Sequence, residues 1–266
     1  MQGVPDRSAS LGIGRILSAS AALFKSRLPY IAVLTSAAVL LNKLADTVLV
    51  SLFYDTNFFG SSGFDLNYYV YELGIGFTNA LAHAVTMIPL ILILQDTIAG
   101  RALRLRHSVT QIPVNLLPVA VAFWLVNHSP SVAALLLLID LPHIRAIVSL
   151  LFSGLFIFAA VVWFVASPLV VIERQGWRAF GRSYRLVSRY RWPVFGVFVV
   201  VTLILMLVLV ASEFSVTYGQ WVFAEILNFA AYLCTAFEVT VTVLTYNRLC
   251  AIKEGAQPED LAAVFE

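Results

Sequence analysis

The sequence predicts an all-α membrane protein, a polytopic bundle of about six transmembrane helices. Hydrophobic residues make up 60% of the 266 residues and charged residues only 12%, whereas a soluble domain carries roughly 25% charged residues. Long apolar stretches recur along the chain, and most basic residues fall outside them. A membrane protein tolerates this composition because lipid replaces water around most of its surface. We expect one integral membrane domain over residues 1–266.

Six apolar stretches are predicted to cross the bilayer, whose core of about 30 Å needs around 20 apolar residues in a helix. The third stretch is short and contains Pro113 and Pro118. The run 131–140 after it is too short to span, which indicates an interfacial or re-entrant segment. No cleavable signal peptide is expected, since residues 1–28 lack a central apolar run. The predicted spans are residues 29–53, 69–94, 112–126, 145–172, 193–211 and 221–246.

The basic residues predict the orientation of these spans. Of the 17 Lys and Arg residues, all but Lys43 and Arg145 precede span one, follow span six, or lie between spans two and three or four and five. By the positive-inside rule, this distribution predicts an even number of spans with both termini in the cytoplasm. We expect a multi-pass protein of the bacterial inner (plasma) membrane.

The spans are predicted to form three helical hairpins. Pro29, Pro113 and Pro193 open spans one, three and five at nearly equal intervals. A basic amphipathic segment precedes the first and third pairs, at residues 10–28 and 173–192, and both are expected to lie along the cytoplasmic membrane face. A chance coincidence of prolines is the alternative to a true repeat.

The segment 173–192 holds six arginines between two apolar spans. Wound as one helix, it places five of them in a single stripe and its aromatic residues on another face. Such a helix can lie among lipid headgroups with its guanidinium groups on phosphates. We predict that it binds anionic headgroups; a plain topology signal is the main alternative, and nucleic acid is a weaker one. The stripe consists of Arg174, Arg178, Arg182, Arg185 and Arg189, and the other face of Trp177, Phe180, Gly181, Tyr184, Val187 and Ser188.

In the second half of the chain, the motifs in residues 167–192 (SPLVVIERQGWRAFGRSYRLVSRYRW) and in residues 246–255 (YNRLCAIKEG) resemble those of a family of membrane proteins related to the membrane domain of glycerophosphodiester phosphodiesterase. The resemblance implies a six-helix integral membrane domain. It does not imply an esterase, because in that family the catalytic barrel is a separate domain, which this chain lacks. The residues that carry the resemblance are Pro168, Glu173, Ala179, Arg182, Ser183, Leu186 and Trp192, with Tyr246, Arg248, Glu254 and Gly255 near the C-terminus.

Charged or titratable side chains also fall inside the predicted spans. A charge at this depth costs about 3 kcal/mol, so such side chains pair with one another or line a wet cavity. Two interpretations of Lys43, Asp46 and Glu72 remain open. In one, they form a polar pocket that also involves Glu225; in the other, Lys43 and Asp46 are a satisfied structural pair. The intramembrane set is Lys43, Asp46, Glu72, His83 and Glu238.

Glu238 is expected to be held inside the bundle by another helix, because its neighbours in its own span offer no cation. His83 is the predicted partner, since it also lies near the middle of a span. Lys43 and Asn115 are the alternatives.

The sequence shows no nucleophile–base set or metal-ligand spacing, so we expect neither an enzyme nor a cofactor or metal. Cys234 and Cys250 are expected to be buried thiols. The favoured interpretation is a lipid-interacting or membrane-structural accessory protein. Its expected partners are membrane lipids, especially anionic headgroups, and another membrane or cytoplasmic protein is a further candidate. The alternative is a small-molecule or lipid transporter or channel with a polar pocket among its helices.

Overall fold

The computed structural model describes residues 11–53, 66–127 and 142–255, and every regular element in these ranges is an α-helix. The all-α fold class is therefore confirmed. The run 131–140 lies outside the described residues. In chain order the helices are α1 (Ile13–Ser26), α2 (Leu28–Phe53), α3 (Leu66–Ile98), α4 (Leu105–Thr110), α5 (Ile112–Asn127), α6 (Pro142–Trp163), α7 (Ala166–Ile172), α8 (Arg178–Val187), α9 (Arg191–Thr217) and α10 (Trp221–Glu254).

Five helical stretches in the described part of the chain are long and apolar enough to cross a membrane, not the six predicted. The predicted third span forms α5, but α5 has only 16 residues. At 1.5 Å per residue it is about 24 Å long, which is shorter than the hydrocarbon core. The five stretches are Leu28–Leu49, Gly74–Ile98, Leu150–Ile172, Arg191–Thr217 and Trp221–Glu254. They are the helices of a multi-pass membrane protein.

The order of the helices repeats three times along the chain. A shorter helix (α1, α4 or α8) precedes a pair of longer ones, and within each pair the two helices pack against each other. This order agrees with the three predicted hairpins. In the second repeat the returning helix is divided into α6 and α7. The division falls at Phe164–Val165 because Pro168, four residues after Phe164, has no N–H to continue the helical hydrogen bonds.

The best-packed part of the bundle lies where α3, α5, α7 and α10 meet. Ile91, Val119, Val170 and Val243, one from each helix, are fully buried, and so is all of α7. By contrast, α9 exposes most of its apolar side chains, and Leu207 is 72% exposed. Lipid is as apolar as these side chains, so their exposure is not costly in a bilayer.

The first amphipathic helix is confirmed as a helix, α1, but its apolar side contacts protein. It packs against α9 and α10. Ile16 is buried, and Phe24 contacts Phe237 of α10 with ring centroids 5.6 Å apart. Ile13 lies over Gly196 of α9. A Cβ atom at Gly196 would come within 2.7 Å of the Cδ1 atom of Ile13. The glycine therefore allows the close approach of α1 to α9.

The second amphipathic segment is not the single helix predicted over residues 173–192. Only Arg178–Val187 is helical, as α8. Arg174 and Gly176 adopt positive φ angles of 52° and 51°, which turn the chain before α8 begins. A turn at Ser188–Tyr190 then separates α8 from α9. Arg174 and Arg189 therefore lie outside the helix that was expected to hold all five arginines.

Candidate functional site

The basic segments of the chain are brought together at one end of the bundle, which we call the basic end. Arg27, after α1, donates from Nε to Thr97 Oγ1 at the end of α3, at 2.9 Å. Arg174 lies 3.3 Å from the ring nitrogen of His107 in α4. Lys253, at the end of α10, donates to the backbone oxygen of Arg185 in α8 at 2.6 Å. These contacts join all four basic segments.

A buried carboxylate organises the basic end. Glu173, at the end of α7, is only 4% exposed. Its Oε1 accepts a hydrogen bond from the Tyr246 hydroxyl at 2.9 Å, and its Oε2 accepts one from Gln175 Nε2 at 2.7 Å. The Arg182 guanidinium forms an ion pair with the same Oε2. The charge is thus paired and hydrogen-bonded, as a buried carboxylate must be.

Arg182 also reaches a second carboxylate. Its Nη2 donates to Glu254 Oε2, at the end of α10, at 3.0 Å. Partial burial on its own lowers the pKa of Arg182, but the hydrogen bond and charge of Glu173 and the charge of Glu254 outweigh it, so the pKa is raised. We call Glu173, Arg182, Tyr246 and Glu254 the carboxylate latch, because it fastens α8 to the ends of α7 and α10.

The buried face of α8 completes this attachment. It consists of Ala179, Ser183, Leu186 and Val187. The Ser183 hydroxyl donates to the backbone oxygen of Val162 at 2.6 Å. Val162 lies in the last turn of α6, where carbonyl groups lack partners inside the helix. The serine therefore supplies a hydrogen bond that the end of α6 needs.

The exposed face of α8 and its flanking turns carries arginines and aromatic rings together. This differs from the prediction of arginines on one face and rings on another, because the small and aliphatic residues are the ones that pack against the bundle. Arg191 also lies over the rings of Phe158 and Tyr184, 5.3 and 5.0 Å from their centroids. We call the exposed set the arginine–aromatic face, formed by Trp177, Arg178, Tyr184, Arg185, Arg189 and Trp192.

The five predicted arginines therefore have different surroundings. Arg178, Arg185 and Arg189 are exposed. Arg174 contacts His107, and Arg182 bridges two carboxylates. Headgroup binding by the stripe stays a prediction, and the structure gives Arg182 a structural role that the spacing did not indicate.

The outer charged residues do not form the Lys43–Asp46 pair, which was one of the two interpretations; the other included Glu225. Lys43 Nζ contacts Glu225 Oε1 at 2.7 Å, joining α2 to α10, and both side chains are about half exposed. Lys43 therefore pairs with Glu225 and not with Asp46. Asp46 Oδ1 is buried without a hydrogen-bond partner in the described residues. The Glu72 side chain lies outside the described part of the structure.

His83 and Glu238 line different cavities. The His83 ring is stacked between those of Phe123 and Tyr232, with centroids 4.7 and 5.0 Å away. Glu238 lines a small cavity of about 30 Å³ together with Pro168 of α7, which has room for a water molecule. The His83–Glu238 pair stays a prediction. Of the alternative partners, Lys43 is engaged by Glu225, and Asn115 donates to the backbone oxygen of Gln111.

One polar contact near the basic end was not predicted. Gln95 of α3 and Asn247 of α10 are buried and exchange two amide hydrogen bonds, at 2.9 and 3.3 Å. Each comes directly after a predicted span, 69–94 or 221–246, and this matching position was the available signal, since a buried amide needs a partner.

No group of three or more His, Cys, Asp or Glu side chains that could hold a metal occurs among the described residues. Cys250 is buried and Cys234 is partly buried, both as free thiols.

Comparison with protein-family models, with curated proteins and with solved structures gives no match for this chain. The function is therefore argued from its own residues.

Proposed function

We propose that this chain is a lipid-interacting protein of the bacterial inner membrane that binds anionic headgroups through the arginine–aromatic face. Both termini and the basic end would then face the cytoplasm. The observation that carries the proposal is the shared exposure of three arginines, Arg178, Arg185 and Arg189, beside large aromatic rings. The distribution of the basic residues supports the orientation.

The chemistry of this face matches the membrane interface. Trp192, in the first turn of α9, is 82% exposed, and Trp and Tyr rings favour the headgroup level of a bilayer. Guanidinium groups bind phosphate through two parallel hydrogen bonds. Each basic residue near an anionic leaflet contributes about 1 kcal/mol. On this surface the arginines would therefore bind lipid phosphates while the neighbouring aromatic rings pack at the headgroup level of the same lipids.

The carboxylate latch supports this binding without taking part in it. Because Arg182 and Ser183 fix α8 to the bundle, the exposed arginines are held in place before a lipid arrives. A positioned group loses less conformational entropy on binding than a mobile one. In this proposal Arg182 is a positioning residue and not a headgroup ligand.

The test replaces Arg178, Arg185 and Arg189 together with Gln. The matched control replaces Arg15, Lys25 and Arg106 with Gln and so removes the same charge. These three basic residues are also exposed, and they belong to the other basic segments of the chain. Native mass spectrometry of the purified proteins would measure bound phosphatidylglycerol and cardiolipin against phosphatidylcholine.

We expect the first variant to bind anionic lipids up to about 100-fold more weakly, from about 1 kcal/mol per arginine. The control should bind almost normally. Equal retention by the first variant and the unmodified protein would leave the arginines as a topology signal only. Equal loss in both variants would show a general attraction of basic residues for anionic lipid and would overturn the assignment to this face.

A further inference from the structure

A chamber of about 590 Å³ lies among the apolar helices. Its lining comes mainly from α3, α9 and α10, with Phe123 of α5 and Ile157 of α6. This volume is typical of sites for small organic ligands. Along α9 the chamber extends from Phe195 to Leu209, about 21 Å at 1.5 Å per residue.

The lining divides into two kinds of surface. The α9 side is aliphatic and aromatic, whereas α3 and α10 supply most of the polar groups. Among the described residues, no Asp, Glu, Lys or Arg belongs to the lining. The polar members are Asn79, His83, Thr202, Asn228, Tyr232 and Thr235.

Three of these polar side chains have hydrogen-bonding capacity that the described residues leave unused. Asn79 Oδ1 is buried and has no partner there. The Thr202 hydroxyl and the Asn228 amide also make no hydrogen bond within the described part of the chain, whereas Thr235 bonds to the backbone oxygen of Ala231. Polar groups without partners are costly inside a membrane. A ligand with hydroxyl or carbonyl groups would satisfy them.

The polar side offers no cation to an anionic ligand. The described residues of the lining include no Lys or Arg. Lys43 of α2, which packs against α3 and α10, is already paired with Glu225. The opposite side opens towards lipid, because Leu203 and Met206 of the lining are exposed.

We propose that this chamber binds a lipid with one long chain and an uncharged, hydroxyl-bearing headgroup, such as a monoacylglycerol. The chain would lie along α9, and the headgroup hydroxyls would bond to Asn79, Thr202 and Asn228. This site is separate from the arginine–aromatic face, and its existence does not depend on the function proposed for that face.

The test uses the full-length protein in phosphatidylcholine nanodiscs and a monoacylglycerol that carries a diazirine in its chain. After illumination, mass spectrometry locates the labelled peptides. Two comparison probes have the same photoreactive chain, one as a free fatty acid and one as a plain hydrocarbon. Unlabelled monoacylglycerol serves as competitor.

Matched variants place the same bulky side chain inside and outside the chamber. Val199→Trp fills it, whereas Val210→Trp lies on the lipid side of the same helix, outside the lining. Asn228→Leu removes a headgroup partner at similar volume. The melting temperature of each variant shows whether it is still folded. Competition with unlabelled monoacylglycerol shows whether the label on the unmodified protein comes from a specific site.

We expect the monoacylglycerol probe to label α9 and α10 peptides that line the chamber, and the competitor to remove this label. Val199→Trp should abolish labelling and Val210→Trp should leave it intact. Asn228→Leu should weaken binding about fivefold, the effect of one net hydrogen bond. Equal labelling by the hydrocarbon or fatty-acid probe would overturn the headgroup assignment, and label found outside the chamber would overturn the site.

Discussion

Replacing Arg182 with Met should destabilise the protein strongly, because among the described residues Arg182 is the cation that contacts both carboxylates of the carboxylate latch. Glu173 is almost fully buried, and without Arg182 it keeps only the neutral donors Tyr246 and Gln175. Removing one partner of a buried ion pair costs about 3–5 kcal/mol. The Arg182 side chain is 24% exposed, and Glu254 stays near water, so we expect a loss at the lower limit, about 3 kcal/mol.

A second substitution tests the physical reason for this loss. Glu173→Gln keeps the volume and an acceptor for Tyr246 but removes the buried charge, so it should cost less than Arg182→Met. Combined with Arg182→Met, it should restore part of the lost stability, because no uncompensated carboxylate then remains buried. The expected coupling between the two sites lies in the range of about 0.5–3 kcal/mol.

The measurement is thermal unfolding of each variant in the same detergent, followed by tryptophan fluorescence. Arg178→Met is the matched control, since Arg178 lies on the same helix but is exposed. Strict additivity of the Glu173 and Arg182 substitutions would refute the latch, as would equal effects of Arg178→Met and Arg182→Met. The raised pKa of Arg182 keeps it charged until strongly alkaline pH. Its contribution should therefore be constant between neutral and mildly alkaline solution and disappear only far above that range.

Two further predictions concern topology and the bundle interior. Both topology variants are made in a background without the native cysteines. Gln220→Cys, in the exposed turn before α10, should react with an impermeant thiol reagent added outside cells, whereas Ser188→Cys at the basic end should not. The reverse pattern would contradict the cytoplasmic location of the basic end. His83→Ala and Glu238→Ala should together lower the melting temperature by less than the sum of their separate effects if the two side chains pair, and additive effects would mean that Glu238 has another partner.

The fold was predictable from sequence because a bilayer imposes a simple length rule on apolar helices. Composition and hydropathy predicted the all-α bundle. The spacing of Pro29, Pro113 and Pro193 and the basic segments predicted its repeated order. The span count was less secure, because α5 is apolar throughout and yet only 16 residues long. A short apolar helix can be buried against its neighbours, as α5 is against α3, α6 and α7, and hydropathy does not distinguish this from spanning.

The candidate site was only partly predictable. The arginine spacing predicts a single stripe only if residues 173–192 form one continuous helix. The turn at Arg174 and Gly176 interrupts that helix, so the five arginines do not share one face. The partners of Arg182 come from α7 and α10, which no local pattern connects to α8. One available signal was Glu173, a carboxylate at the end of an apolar run. However, Arg174 and Arg178 lie close to it in sequence, so this signal did not single out Arg182 as its partner.

The arginine segment therefore combines two roles that its sequence does not separate. Arg182 is turned inward by the packing of Ala179, Ser183 and Leu186, and it joins helices. The arginines on the opposite side of α8 have no such packing around them and stay exposed. This division has a chemical consequence for lipid recognition. The exposed face is cationic and suits anionic headgroups. The part of the chamber's lining that the structure describes contains no charged residue and suits uncharged ones. If both proposals hold, the protein distinguishes two classes of lipid by charge, and neutralising the exposed arginines should leave labelling of the chamber unchanged.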